Sequence, residues 1–234
     1  MILSKLPNIL NDINTVLLPQ LCFGCNARLY RGEQVLCTVC RDHLPLTEYN
    51  FSEENSLDRT FYGRIEIAKA SSFLFFHEVG IVKNLIHYLK YKNQPQIGIF
   101  LGDWYGSVLK EDPKLPELDM VIPVPMHPKK LKKRGYNQVE GFGRQIATHL
   151  GVPYRDDILI KKTHTKTQTR KSRIYRWQHQ QPIFAVPEPS SLANKKVLLV
   201  DDVVTTGATL ENSAKAIKTM PGTAVYIATM AMVP

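Results

Sequence analysis

The stretch Val197–Thr209 limits what this chain can fold into more than any other. It reads Val197-Leu198-Leu199-Val200, then Asp201-Asp202-Val203-Val204, then Thr205-Thr206-Gly207-Ala208-Thr209. Four consecutive apolar residues leave no face for water, the pattern of a central strand in a parallel sheet. The two carboxylates then sit at the carboxyl end of that strand, where open α/β sheets bind ligands. Behind the loop, Leu210, Ala214 and Ile217 recur at helical spacing. Such a turn suits a sugar phosphate. Free N–H groups at a helix start and the positive end of the helix dipole hold a phosphate dianion. Gly207 permits positive φ or close backbone approach. Thr205, Thr206 and Thr209 add hydroxyls, while Asp201 and Asp202, facing solvent at the strand end, can accept hydrogen bonds from ribose hydroxyls. A buried strand leading into a Thr-capped helix is the alternative without a ligand.

With these residues in register, the stretch resembles the phosphoribosyl-diphosphate (PRPP) motif of type I phosphoribosyltransferases. The resemblance implies that Asp201 and Asp202 contact the ribose 2′- and 3′-hydroxyls. It also implies that Val204, Thr205, Thr206, Gly207, Ala208 and Thr209 hold the 5′-phosphate, with Mg²⁺ accompanying PRPP.

All four cysteines lie early, as Cys22-x-x-Cys25 and Cys37-x-x-Cys40. Two such knuckles can present four thiolates tetrahedrally to one Zn²⁺, and Gly24 suits the turn between the first pair. Redox pairs or free buried thiols are the alternatives, and neither explains the doubled spacing. So small a unit depends on metal to fold.

A second segment adds to the resemblance. Val121-Ile-Pro-Val-Pro125 reads as a short strand; Lys129–Arg134 and Gly135-Tyr136-Asn137-Gln138 follow it. Val139, Phe142, Ile146 and Leu150 then mark a helix face. Cysteine knuckles, this segment and the PRPP loop, in that order, resemble the ComF family of competence-associated proteins. That family couples a zinc ribbon to a phosphoribosyltransferase-like domain. The resemblance implies a type I phosphoribosyltransferase-like α/β fold: a parallel sheet flanked by helices, with a small N-terminal four-cysteine zinc ribbon. It implies PRPP as ligand and a role in natural transformation, with single-stranded DNA and competence or recombination proteins as further partners. The family's Thr-x-x-Gln and Arg-x-x-Asn elements are matched by Thr165–Gln168 and Arg173 or Arg176, with His179 where Asn is expected.

The rest of the chain agrees with two units, residues 1–46 and 61–234. A length of 234 residues allows one α/β domain and a small appendage. Ile2, Leu6, Ile9, Ile13, Val16 and Leu17 suggest an amphipathic helix packed on the body. Polar residues interrupt it, so neither a membrane span nor a secretory signal is expected, and the cytoplasm is the expected compartment. Thr47–Thr60 reads as a polar linker. Ile65–Ala70 alternates and continues to Phe76 as a strand or hairpin. Val79, Val82, Ile86 and Leu89 form one helix face, and a second helix is expected from Pro95 to Leu109.

A net charge of +9 favours anionic partners, phosphorylated substrates or nucleic acid, without choosing between them. The basic residues concentrate in Lys129–Arg134 and Lys161–Arg176, with Tyr136, Tyr175 and Trp177 among them. A pyrophosphate leaving group needs such cations or Mg²⁺. Arg134 and one cation of the later stretch are the expected pyrophosphate contacts, and Arg134, Asp201 and Asp202 the expected catalytic residues. Interleaved aromatics also stack on single-stranded bases. An enzyme transferring the phosphoribosyl group and a non-enzymatic single-stranded DNA-binding or regulatory protein both fit the chain.

Overall fold

The structure, a computed structural model, describes residues 19–162 and 183–234. The expected first helix and the expectations placed on Thr165, Gln168, Arg173, Tyr175, Arg176, Trp177 and His179 lie outside the described residues. Among the described residues the helices are α1 (Thr38–Asp42), α2 (Ser56–Arg59), α3 (Ile81–Tyr91), α4 (Gln96–Lys110), α5 (Pro128–Arg134), α6 (Glu140–Leu150) and α7 (Ala208–Ile217). The strands are β1 (Lys69–Phe75), β2 (Met120–Pro123), β3 (Ile160–Lys161), β4 (Phe184–Ala185), β5 (Lys196–Val204) and β6 (Ala224–Met232).

Four strands form a parallel sheet in the order β1-β6-β5-β2, so the Val197–Val204 run is an interior strand. Its alternate residues enter two different cores. Leu198 and Val200 join α3, α4 and α6 on one face, whereas Val197 and Leu199 join Leu210, Ala214 and Ile217 of α7 on the other. β3 and β4 form a separate antiparallel pair.

Helix α4 lies close against α6 because three glycines line its inner side. A Cβ at Gly102 would meet the Phe142 carbonyl oxygen at 2.5 Å, inside any tolerable contact, so only hydrogen fits there. The same stripe brings Gly98 beside the Gln138 carbonyl, where a Cβ would sit 3.3 Å away. That proximity places the turn before α6 over the carboxyl end of the sheet.

The four-cysteine unit shares a core with the α/β body. Cys22, Cys37, Cys40, Leu29, Leu36 and Leu44 are buried in one cluster with Leu85 and Leu89 of α3 and Leu101 of α4. Polar contacts fix the docking. Asn84 Nδ2 donates to the Gly24 carbonyl at 2.8 Å, and the Tyr88 hydroxyl to Asn26 Oδ1 at 3.1 Å. Arg41 lies 4.7 Å from the centroid of the Trp104 ring.

Three sequence expectations are corrected. Residues 47–60 are no linker: Phe51, Leu57 and Asp58 are buried, and Asn55 caps α2 through a reciprocal capping box with Asp58. Asp58 also accepts from the Ala70 N–H at 2.8 Å and from Lys69 Nζ at 2.6 Å, so the polarity of this segment is spent on the edge strand. Strand β1 starts at Lys69, with the Ala68 N–H already donating to the Val225 carbonyl at 2.8 Å, which leaves Ile65–Ile67 outside the pairing. Val79 precedes α3 and is exposed; Val82, Leu85, Ile86 and Leu89 form the buried face.

Candidate ligand site at the carboxyl end of the central strand

The acids at positions 201 and 202 are buried rather than open to solvent, at 9% and 6% exposure. Because neighbouring residues in a strand face opposite sides, the two carboxylates have different surroundings. Asp202 Oδ1 accepts from Lys90 Nζ at 2.8 Å and its Oδ2 from Gln138 Nε2 at 2.6 Å. Gln138 in turn accepts through Oε1 from Arg134 Nη1. Arg134, Gln138, Asp202 and Lys90 thus form one chain of contacts joining α5, the turn before α6, β5 and α3. Arg134 stands two hydrogen bonds from the acid pair, with its guanidinium 5.7 Å from the centroid of the Tyr91 ring.

Asp201 has no such counter-ion among the described residues. Its Oδ1 accepts from the Asp202 N–H at 2.8 Å. Burial, reinforced by the neighbouring Asp202 charge, pushes its carboxyl up to about 8. Lys90 and Lys161 pull the other way. On β6, Thr229 is in register with Asp201, and its buried hydroxyl has no hydrogen-bond partner among the described residues. Lys161 is itself pushed below the usual lysine range by burial and by the charge of Lys130.

The loop after β5 runs from Thr205 to the start of α7 at Ala208. Gly207 has φ +72°, and a Cβ there would meet Thr60 Cγ2 at 2.9 Å and Phe61 Cε1 at 3.2 Å. Positive φ and close packing both demand glycine. No side chain among the described residues caps α7, while Thr205, Thr206, Ala208 and Thr209 are exposed. The first-turn N–H groups are thereby available to an anion. Arg64 braces the loop from outside: Nη1 donates to the Thr206 carbonyl at 2.7 Å and Nε to Glu211 Oε2 at 2.9 Å.

Lys90, Gln138 and Arg64 were missed in the sequence. Lys90 and Gln138 belong to segments remote from the acids, and only tertiary folding joins them. The polar end of the apolar α3 face and the Gln138 of the Gly-Tyr-Asn-Gln run were the available signals. Tyr136, read as a stacking aromatic, packs against the core, and its hydroxyl donates to the Leu89 carbonyl.

In the ribbon, the four sulfurs lie within 4.8 Å of one another, and three of the four cysteines are buried. The Gly24 and Cys37 N–H groups donate to Cys22 Sγ at 3.4 and 3.3 Å, and the Cys40 N–H to Cys37 Sγ at 3.4 Å. N–H donors directed at sulfur favour thiolate. Burial acts to raise the Cys22 thiol, but these donors outweigh it and bring it to about 7. Cys40, with less such help, is raised by burial. Four converging sulfurs with N–H support fit a tetrahedral soft-metal site, so the cluster can hold a metal such as zinc. No comparable group of three or more His, Cys, Asp or Glu ligands occurs elsewhere among the described residues. The acid pair alone is therefore no cage for Mg²⁺, which binds typically through one or two carboxylates plus substrate phosphates.

The parallel sheet, the acid pair and the helix-start loop resemble a phosphoribosyl transferase domain, and the family model of that domain matches residues 140–233. The chain is similar to competence protein F and ComFC, and its four-cysteine unit precedes the matched segment. It is 24% identical over 208 residues to competence protein F of Haemophilus influenzae, covering 84% of this chain and 90% of the relative. Against competence protein ComFC of Streptococcus pneumoniae it is 31% identical over 114 residues, 49% of this chain and 48% of that protein. Among solved structures it is similar to the glutamine PRPP amidotransferase from B. subtilis, with 18% identity and a TM-score of 0.43. That match covers 62% of this chain and 30% of the other. No described helix is long and apolar enough to cross a membrane.

Proposed function

We propose that the carboxyl end of β5 binds Mg-PRPP and that the protein transfers its phosphoribosyl group, in a role linked to the uptake or use of DNA. The observation that carries this reading is the glycine-hinged loop at the bare start of α7, immediately after two buried acids on an interior parallel strand. The first-turn N–H groups and the hydroxyls of Thr205, Thr206 and Thr209 take the 5′-phosphate. Asp201 and Asp202 take the ribose hydroxyls, Asp202 by exchanging its contacts with Lys90 and Gln138. Arg134 and the released Lys90 face the pyrophosphate, whose oxygens bring Mg²⁺. An acceptor nucleophile attacks ribose C1, the C1–O bond to pyrophosphate breaks, and the electron pair leaves with pyrophosphate. Positioning and electrostatics drive this step, with no covalent protein nucleophile. Cys22, Cys25, Cys37 and Cys40 hold one structural Zn²⁺. Persistence of such thiolates suits the reducing cytoplasm.

The names of the relatives, competence proteins F and ComFC, support the link to DNA. A single-stranded DNA role beside, or instead of, catalysis is favoured by α5. Its Lys129, Lys130, Lys132 and Lys133 are exposed and make no ion pair with the described residues. Calorimetric titration of Mg-PRPP into the zinc-loaded chain tests the main reading. One site per chain is expected, lost in Asp201→Asn with Asp202→Asn, at about 1.5–3 kcal/mol for each charge-assisted hydrogen bond of Asp202 removed. Absence of binding by the unaltered chain, or unchanged affinity in the double variant, overturns it. A pyrophosphate-release screen over bases and amines then finds the acceptor.

A further inference from the structure

Between the ribbon and the carboxyl end of α3 lies a groove of about 460 Å³. Five of its lining residues are carboxamides: Gln20, Asn26, Gln34, Gln94 and Gln96. The Phe23 and Tyr88 rings, 5.1 Å apart, supply aromatic surface. No lining residue carries a charge, on a chain of net charge +9. Such a wall gives little to a phosphate. A carboxamide instead offers a donor and an acceptor side by side, the complement of a nucleobase edge, and an aromatic ring offers a stacking plane.

Among the described residues, much of this amide capacity is unspent. The side chains of Gln20 and Gln34 make no hydrogen bond with the described residues. Gln96 donates to the Gln94 carbonyl oxygen, which leaves the Gln94 amino group and the Gln96 carbonyl oxygen. Asn26 accepts from the Tyr88 hydroxyl through Oδ1, which leaves its amino group. We infer that this groove is a nucleobase-binding site. It is distinct from the acid pair: Tyr88 faces the groove and Lys90 contacts Asp202, and residues two apart on a helix face different ways. The base can belong to a free nucleoside or to a single strand whose phosphates lie on α5, and the second case rests on the DNA reading above.

The test uses the full-length, zinc-loaded chain. Its probes are adenosine, a twelve-nucleotide oligothymidylate and an abasic strand of the same length. Variants are Tyr88→Leu, which removes a stacking ring, and Gln34→Glu and Gln96→Glu, both at exposed positions where the fold persists. Adenosine binding weakened at least about fivefold by Tyr88→Leu, as loss of one stack implies, and weakened also by both Glu variants, supports a nucleoside site. A preference for thymidylate over the abasic strand, erased by the same changes, supports a strand site. If Tyr88→Leu misfolds, the two Glu variants decide. Equal binding of the two strands without adenosine binding overturns the inference, as does base binding that Gln34→Glu and Gln96→Glu leave untouched. Mg-PRPP titrated into the same preparations separates the two sites. Its unchanged affinity in the Glu variants leaves the PRPP reading standing whatever the groove does, and base binding that survives Asp202→Asn does the converse.

Discussion

At Gly207 two demands meet, a backbone in the left-handed region and a Cβ position already filled by Thr60 and Phe61. Gly207→Ala should cost about 1–3 kcal/mol of stability and weaken Mg-PRPP binding, measured by urea midpoint and calorimetry. Wild-type stability with abolished binding would place the effect in the ligand alone and sink the packing argument. Asp201 carries a different consequence. With its folded carboxyl raised to about 8, the folded chain keeps a proton that the unfolded chain releases near pH 4. Between those values the folded state binds more protons, so this group makes stability fall as pH rises. Asp201→Asn has no such proton. It should gain stability relative to the unaltered chain between pH 5 and pH 8 while binding PRPP more weakly. Urea midpoints at both values check this, and a constant difference between the two chains would disprove it. The sequence showed both acids and their place at a strand end. It did not show their inequality, because Lys90 and Gln138 reach only one face of β5 and both come from distant segments.

Among the elements, α3 joins the metal unit to the ligand site. Asn84 and Tyr88 hold the ribbon, Leu89 offers its carbonyl to Tyr136, and Lys90 holds Asp202, all within three helical turns. Loss of the ribbon should therefore reach the acid pair. Cys25→Ser should lower zinc content from one ion per chain, reduce the melting temperature of the whole described core and weaken Mg-PRPP binding. Metal analysis, thermal unfolding and titration measure the three effects. Full PRPP affinity in a zinc-free variant would show that α3 stands without the ribbon. Lys90→Ala keeps the ribbon but strips a buried carboxylate of its partly buried cation. A loss of about 1–3 kcal/mol in stability is expected, smaller than for a fully buried pair. The apolar faces of α3, apart from Val79, and of α6 were legible because 3.6-residue periodicity follows burial directly. Residues 47–60 were not. Their polar side chains satisfy backbone groups of β1 and their own helix, a pairing that leaves no periodic trace. The glycine stripe of α4 was equally silent, since its meaning lies in the backbone of α6.

Across the whole molecule, cation placement follows the fold. Asp202 engages Lys90 and Glu211 engages Arg64, close to the ligand site, whereas four lysines of α5 stand free among the described residues. If single-stranded DNA runs over α5, its affinity should fall steeply with salt, at a log–log slope of about −0.7 for each phosphate neutralised. Replacing Lys129, Lys130, Lys132 and Lys133 by Ala should flatten the slope by about 0.7 for each phosphate that no longer meets a lysine. Tyr136→Phe should leave the slope unchanged, because the ring stays packed against the core and only the hydroxyl bond to the Leu89 carbonyl is lost. The charges of Lys130 and Asp201 both act on Lys161, which ties α5 electrostatically to the acid pair. A strand held there would occupy the approach to the pyrophosphate position. Mg-PRPP should then compete with DNA, and Asp201→Asn should leave DNA affinity intact while abolishing that competition. Fluorescence anisotropy of a labelled oligonucleotide at several salt concentrations, with and without Mg-PRPP, reads all of these quantities. Salt-independent or absent DNA binding would leave small-molecule transfer as the function of the site. Steep salt dependence without competition would move the DNA path off α5.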